Sequence, residues 1–343
     1  MTAAGSSRGT GDARTVGLAD MPPVVELDDS IVAGMLPLRE ARAHKGSHGT
    51  LLVVCGSLDY AGAAHLVATA AGRGGAGLVC LAVPASLQPL FAGRPVEAIT
   101  LGLPEGDESA VPDPDGALAA IAGRSHDALA IGSGLRPGPG TVMLVQRLVA
   151  GEGHGGVGAL APAVLDAEAL NSLATLEAWW TPMRRACVLT PHPGEFRRLR
   201  PQAGGDLGTD DAAREAACRG AAAVWSQTVV LKGGRTVVAA PDGRAARAPF
   251  ENPALGTAGT GDVLTGVIGA LLAQGVAPYE AACIGVYLHG VAGDRLSERV
   301  GDAGLLASDL PYEVALARRR LSEVRERLAT GQAFGFGARA AVR

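Results

Sequence analysis

With 343 residues, 34 acidic against 30 basic side chains and a formal charge of −4, the chain has no basic excess that would direct it to nucleic acid or an anionic membrane. No run approaches the roughly 18 apolar residues of a membrane span, yet 48% hydrophobic residues allow a substantial core, as one large α/β domain or two smaller ones. Cys55, Cys80, Cys187, Cys218 and Cys283 are odd in number, far apart and mostly set in apolar runs, which reads as buried small hydrophobes in a reducing cytoplasm, without disulfides.

Residues 1–25, rich in Gly, Ser, Ala and Thr, hold neither an apolar signal core nor an amphipathic period and are expected to form a disordered leader. From about residue 50, short apolar runs alternate with helical patterns, which predicts parallel strands joined by crossover helices. Leu51 to Cys55 reads as the first strand, Ala63 to Arg73 as an alanine-rich helix and Gly77 to Val83 as the next strand. Ala128–Ile131, Ala163–Leu165, Cys187–Leu189 and Thr228–Leu231 follow as further strands. Thr236 to Ala240, beside the turn Pro241-Asp242-Gly243, suggests an antiparallel hairpin added to the sheet. Gly151 to Gly158 holds five glycines, but the alternation continues on both sides, so it reads as an exposed loop. Helical patterns over about Tyr279 to Arg299 and Asp309 to Arg327 precede a flexible tail, residues 331–343. The expected architecture is a single doubly wound α/β/α domain over residues 26–330.

In open α/β sheets ligands collect at the carboxyl ends of strands. Small residues, Gly56-Ser57 and Gly62-Ala63-Ala64, follow the first strand; Gly132-Ser133-Gly134-Leu135 follows Ile131; Asp166, with Asn171 beyond it, follows Leu165. Thr190-Pro191-His192-Pro193-Gly194-Glu195 follows Leu189, and Lys232-Gly233-Gly234-Arg235-Thr236 follows Leu231. Each has a plainer reading: Gly132 and Gly134 as turn residues, Asp166 as a helix cap, His192 as part of a stiff turn, Lys232 as a surface charge. A lysine before two glycines also suits an anionic nucleotide.

The densest signal is Gly256-Thr257-Ala258-Gly259-Thr260-Gly261-Asp262, which runs into the apolar helical pattern Val263, Leu264, Val267, Ile268, Leu271 and Leu272. Glycines free the backbone to aim N–H groups at one point, the helix dipole favours an anion there, and Asp262 stands beside it as a base for a hydroxyl would. The alternative is a tight turn in which Thr260 or Asp262 merely caps the helix.

Together with His44-Lys45-Gly46, Val230-Leu231-Lys232-Gly233 and Leu189 to Phe196, these segments occur in the same order as in the ADP-dependent NAD(P)H-hydrate dehydratases of the ribokinase-like superfamily, which the chain resembles from about residue 35 to 325. The resemblance implies a ribokinase-like three-layer fold and a repair lyase. It would use ADP (ATP is the alternative donor) to turn the 6S hydrates NADHX and NADPHX back into NADH and NADPH, releasing AMP and phosphate. Carried over by position, Ala64, Gly134, His192 and Asp262 would line the hydrated dinucleotide, with Asp262 catalytic. Lys232, Gly233, Gly234, Arg235, Thr236 and Gly261 would hold the adenine nucleotide. The N–H groups of Ala258, Gly259, Thr260 and Gly261 would form an anion hole, and Glu195 would serve a Mg²⁺ or water network.

Ser133 stands where the family usually shows proline, and Glu168 where an aspartate is common. Fewer than 50 residues precede the first strand, too few for the epimerase domain of many relatives, so a separate epimerase or spontaneous epimerisation is expected. The resemblance further implies a tetrameric homo-oligomer. The rival readings are a kinase of the same fold acting on a vitamin-precursor alcohol or sugar, and a nucleotide-binding regulatory protein.

Overall fold

In the computed structural model the described residues are 22–106, 112–154, 159–200, 207 and 210–330. Residues 1–21 of the expected leader, 155–158 of the glycine-rich loop and the tail 331–343 lie outside them. The strands are β1 Val25–Glu26, β2 Thr50–Val54, β3 Leu78–Pro84, β4 Ala98–Leu103, β5 Ala128–Ile131, β6 Ala163–Leu165, β7 Cys187–Leu189, β8 Thr228–Leu231, β9 Val237–Ala239 and β10 Ala245–Arg247. The helices are α1 Asp29–Met35, α2 Ala61–Gly74, α3 Gln88–Phe91, α4 Pro114–Ala122, α5 Pro139–Val149, α6 Glu168–Ala174, α7 Pro193–Leu199, α8 Asp211–Trp225, α9 Thr260–Ala273, α10 Pro278–Val300 and α11 Leu310–Ala329.

The strands form one sheet in the order β1-β10-β9-β8-β7-β6-β5-β2-β3-β4, parallel except for β9, which runs against both neighbours. The β9–β10 hairpin closes through Ala240 and Gly243, the latter at φ 90°, as its Pro-Asp-Gly turn requires. Central strands are buried on both sides, which is why they read as continuous apolar runs. Leu51, Val53 and Cys55 face a layer that includes α2, α9, α10 and α11, while Leu52 and Val54 face the layer of α4 to α8. The doubly wound three-layer architecture expected from the sequence is therefore the one observed.

From β2 the chain winds outward through β3 and β4, then returns to lay β5 on the other side of β2. In open α/β sheets such a reversal is where a ligand crevice forms, here at the carboxyl ends of β2 and β5. Gly132 N–H donates to Val54 O (3.1 Å) and Gly56 N–H to Ser133 O (2.9 Å), fixing the two turns that floor it.

Helix α9 lies closely on α2. At Gly266 a Cβ would fall inside the van der Waals shell of the Val67 carbonyl oxygen and lie 2.8 Å from Ala70 Cβ. Only a hydrogen fits. Gly266→Ala is expected to destabilise the fold by about 1–3 kcal/mol through overpacking, despite alanine's better helix propensity. A thermal melt at or above that of the wild type would refute the close-packing argument.

Candidate active site

Helix α9 begins at Thr260 behind Gly259, whose φ of 90° is a left-handed conformation costly for other residues, and no side chain caps it. Thr260 Oγ1 donates to Leu255 O (2.7 Å) and Thr257 O (3.0 Å) instead, and Asp262 sits in the first turn. Neither residue is the N-cap, so the capping part of the plainer reading does not hold, while Gly259 does make a tight turn. Thr260 N–H donates to Thr257 O (3.4 Å), and among the described residues the N–H groups of Gly261 and Asp262 at the start of this 14-residue helix have no partner and are left for an anion. His289 of α10 holds the turn from behind, its Nε2 lying 2.9 Å from Thr260 O. Burial drives the His289 pKa down to about 4, against the pull of that carbonyl, so the ring is neutral and donates through Nε2.

Burial and the nearby Asp166 charge push the Asp262 pKa up to about 6, while Ser133 and Lys232 pull it the other way. Ser133 Oγ lies close enough to favour the carboxylate but makes no hydrogen bond of ordinary geometry. A carboxylate poised near neutrality is well matched to accept a hydroxyl proton.

Asp166 has a different part. It follows β6, is 2% exposed, and accepts hydrogen bonds from Lys232 Nζ (2.7 Å), Thr190 Oγ1 (2.8 Å) and Thr265 Oγ1 (3.1 Å). The N-cap of α6 is Ala167, at φ 49° and without a side-chain cap bond, so Asp166 is not a helix cap. The left-handed alanine directly after Asp166 is a strained conformation of the kind that gathers at functional sites. Asn171, near Asp166 in sequence, pairs with Glu168 and Arg198 instead. Lys232 faces inward: burial alone would lower its pKa, but the charges of Asp166, Glu195 and Asp262 outweigh that and raise it.

His192 and Glu195 form a capping box on α7. His192 Nδ1 accepts from Gly194 N–H (3.0 Å) and Glu195 N–H (3.4 Å), and Glu195 Oε2 accepts from His192 N–H (2.8 Å). An accepting Nδ1 places the proton on Nε2, which points toward Glu195 Oε1 at 3.5 Å on a side chain 51% exposed. Burial first, then Lys232 and Arg198, lowers the His192 pKa, in the direction that favours an accepting Nδ1. Burial raises the Glu195 pKa, partly offset by Lys232. Gly194 is demanded by the box, since a Cβ there would lie 2.8 Å from His192 Cε1. His44 builds the same box ahead of β2, with Gly46 and Ser47 as partners.

On the β2–β5 side, Gly134 (φ 68°) packs so tightly on α2 that a Cβ would lie 2.7 Å from Ala63 Cβ and 2.8 Å from Tyr60 O. Ala64 is fully buried beneath Gly56 and shapes this wall from below. On the β8 side a cavity of about 620 Å³ opens, lined by Lys232, Gly233, Gly234, Arg235, Thr236 and Gly261 together, a volume that suits a nucleotide-sized ligand. Arg235 also pairs with Glu26 (2.5 Å) and Asp211 (3.4 Å) across the rim. Asp262, His192, Ala64 and Gly134 are not among the residues that line this cavity.

Arg214, Phe250, Leu255 and His289 also line the cavity, and the sequence reading missed them. Arg214 is buried and donates to Leu231 O (3.4 Å) and Lys232 O (3.2 Å) from the first turn of the ordinary-looking α8. No local motif marks such residues; an arginine or histidine on a largely apolar helical face was the available signal.

A family model described as NAD(P)H-hydrate dehydratase matches residues 51–314. The chain is 42% identical over 290 residues to the bifunctional NAD(P)H-hydrate repair enzyme Nnr of Moorella thermoacetica, with 84% of this chain and 52% of that protein aligned. It thus spans about half the length of that curated relative. It is 38% identical to the ADP-dependent (S)-NAD(P)H-hydrate dehydratase of Neisseria meningitidis, over 83% of this chain and 90% of that one. Its structure is similar to the ADP/ATP-dependent NAD(P)H-hydrate dehydratase of Bacillus subtilis co-crystallized with ATP/Mg²⁺, at a TM-score of 0.73 and 31% identity, covering 87% of this chain and 99% of that one.

Proposed function

Because the chain belongs to the NAD(P)H-hydrate dehydratase family, we propose that it dehydrates the 6S hydrates of NADH and NADPH at the expense of ADP, releasing AMP and phosphate. The observation that carries this reading is the α9 turn. Gly261 faces the 620 Å³ cavity, while Asp262, one residue on, is outside its lining and has its pKa raised to about 6. Donor and acceptor would meet there. The ring hydroxyl oxygen attacks the β-phosphorus as Asp262 takes its proton, and AMP leaves with the electron pair of the broken P–O bond. Hydroxide is a poor leaving group, whereas phosphate is not. The ring nitrogen lone pair then expels phosphate, and loss of the neighbouring ring proton restores the dihydronicotinamide. N–H groups from Ala258 to Gly261 would hold charge on the phosphoryl oxygens. Ala64, Gly134 and His192 would bound the hydrated dinucleotide, and Lys232 to Thr236 the adenine nucleotide.

Among the described residues no group of three or more His, Cys, Asp or Glu could cage a metal, and Glu195 already spends one oxygen on its capping bond. Those residues fit a Mg²⁺ carried on the nucleotide phosphates, which Glu195 would reach through water. Bound there, the ion would neutralise phosphate charge. All five cysteines are free and buried, which supports a reducing, cytoplasmic setting, and no described helix is long and apolar enough to cross a membrane. Assembly as a tetramer belongs to the same proposal.

The test is recovery of dihydronicotinamide absorbance from hydrated NADH by purified protein with Mg²⁺, with ADP and ATP run side by side. Untouched hydrate, with phosphorylation of a vitamin-precursor alcohol instead, would replace this reading with a kinase.

A further inference from the structure

We propose that Asp166 is a positioning residue that seats the Lys232 ammonium over Gly261 of the α9 turn, where the ammonium meets the phosphoryl group in transit. The proposal rests on the reading of that turn as a phosphate site. A Cβ at Gly261 would lie 3.4 Å from Lys232 Nζ and 3.7 Å from Asp166 Oδ2, so the ion pair sits directly against the helix start. Of the three ammonium hydrogens, one is committed to Asp166 among the described residues, since Glu195 Oε2 is 3.9 Å away. The others remain for a ligand.

Three carboxylates surround this one cation, and where it settles decides what each can do. A lysine head on a flexible four-carbon stem goes to the strongest anion within reach. Were it to settle on Asp262, it would stabilise the ionised form and blunt the base. Asp166 prevents this by geometry: the chain after it is fixed by the Ala167 turn, Thr190 shares its Oδ1, and Thr265, one turn beyond Asp262 on α9, holds its Oδ2. With both oxygens committed and 2% exposure, Asp166 cannot itself reach a substrate. It acts through Lys232.

A double-mutant cycle tests this on the full chain, with folding followed by thermal melts. Asp166→Asn is expected to lower kcat on the order of 100-fold and Lys232→Met about 100- to 1,000-fold, the range for loss of one donor to a developing anion. The double variant should fall within about threefold of Lys232→Met, because a residue acting through another adds nothing once the other is gone. Multiplicative losses would overturn the proposal. Propylammonium should restore part of the turnover of Lys232→Ala, and none when Asp166→Asn is added; equal rescue in both would overturn it too. If Asp166→Asn melts far below the wild type, Thr265→Val replaces it, with an expected loss of about tenfold and the same non-additivity. A wild type that leaves hydrated NADH untouched counts against the dehydratase reading alone. The cycle is then read on ADP affinity by calorimetry, where additive losses would overturn the positioning role and non-additive ones support it.

Discussion

Asp262→Asn lowers kcat by about 10³-fold while ADP affinity stays within about threefold of the wild type. Asparagine keeps the shape of the side chain and removes the group that accepts the proton. ADP affinity persists because Asp262 does not line the cavity that holds Lys232 to Thr236. The same carboxylate sets the pH dependence. Its pKa is raised from 3.8 to about 6, chiefly by burial and then by Asp166, and the ionised form is the working base. Turnover therefore falls as pH drops through about 6. The stability sign is opposite: an acid whose folded pKa is raised destabilises the fold as pH climbs from 3.8 toward 6, and that cost persists above. At neutral pH the asparagine variant should melt higher than the wild type while turning over almost nothing, a trade common at active sites. An Asn variant within tenfold of wild-type kcat, or an acid limb near pH 4, would remove Asp262 from the role of base.

Arg185→Ala is expected to cost about 3–4 kcal/mol of stability, the largest structural effect outside the site. The side chain is fully buried just ahead of β7. Nε donates to Leu148 O (3.0 Å), Nη1 to Ala161 O, and Nη2 to Glu152 O (3.4 Å), and among the described residues no carboxylate pairs with it. One guanidinium thus satisfies carbonyls on both arms of the connection between α5 and β6. Truncation leaves them unpaired and opens a cavity as well. Arg185→Met refills most of the volume without the donors and should lose about 2 kcal/mol, which separates the two terms. Denaturant midpoints at unchanged slope measure both variants. Specific activity per folded molecule should hold. A methionine variant as stable as the wild type would show that the carbonyls find water instead.

Most of the central sheet was legible in advance because parallel strands buried on both faces must be continuous apolar runs, and the strands from Ala128 to Leu231 stand where they were read. The margins were not. β1 is two residues long and exists only because Val25 and Glu26 pair with Ala246 and Arg247, more than 200 residues away. β4 lies at the other edge with a mixed burial pattern, so Ala98 to Leu103 gave no clear period. His192 and Glu195 were visible as a stiff, unusual turn, but histidine is not a common N-cap, and its capping box with Glu195 became evident only from the bond geometry.

What the sequence determined by itself was local: where apolar runs stop, where glycines let the backbone turn toward a ligand, and that a carboxylate stands in the first turn of α9. These depend on near neighbours and on side-chain volume. The tertiary structure decided which acid does what. Asp166 and Asp262 are alike as residues, yet one is spent on Lys232, 66 positions away, and on Thr265, 99 positions away, while the other is left raised and free to titrate. A pKa is set by desolvation and by charges a few ångströms distant, and only the folding of β6, β8 and α9 onto one point creates either.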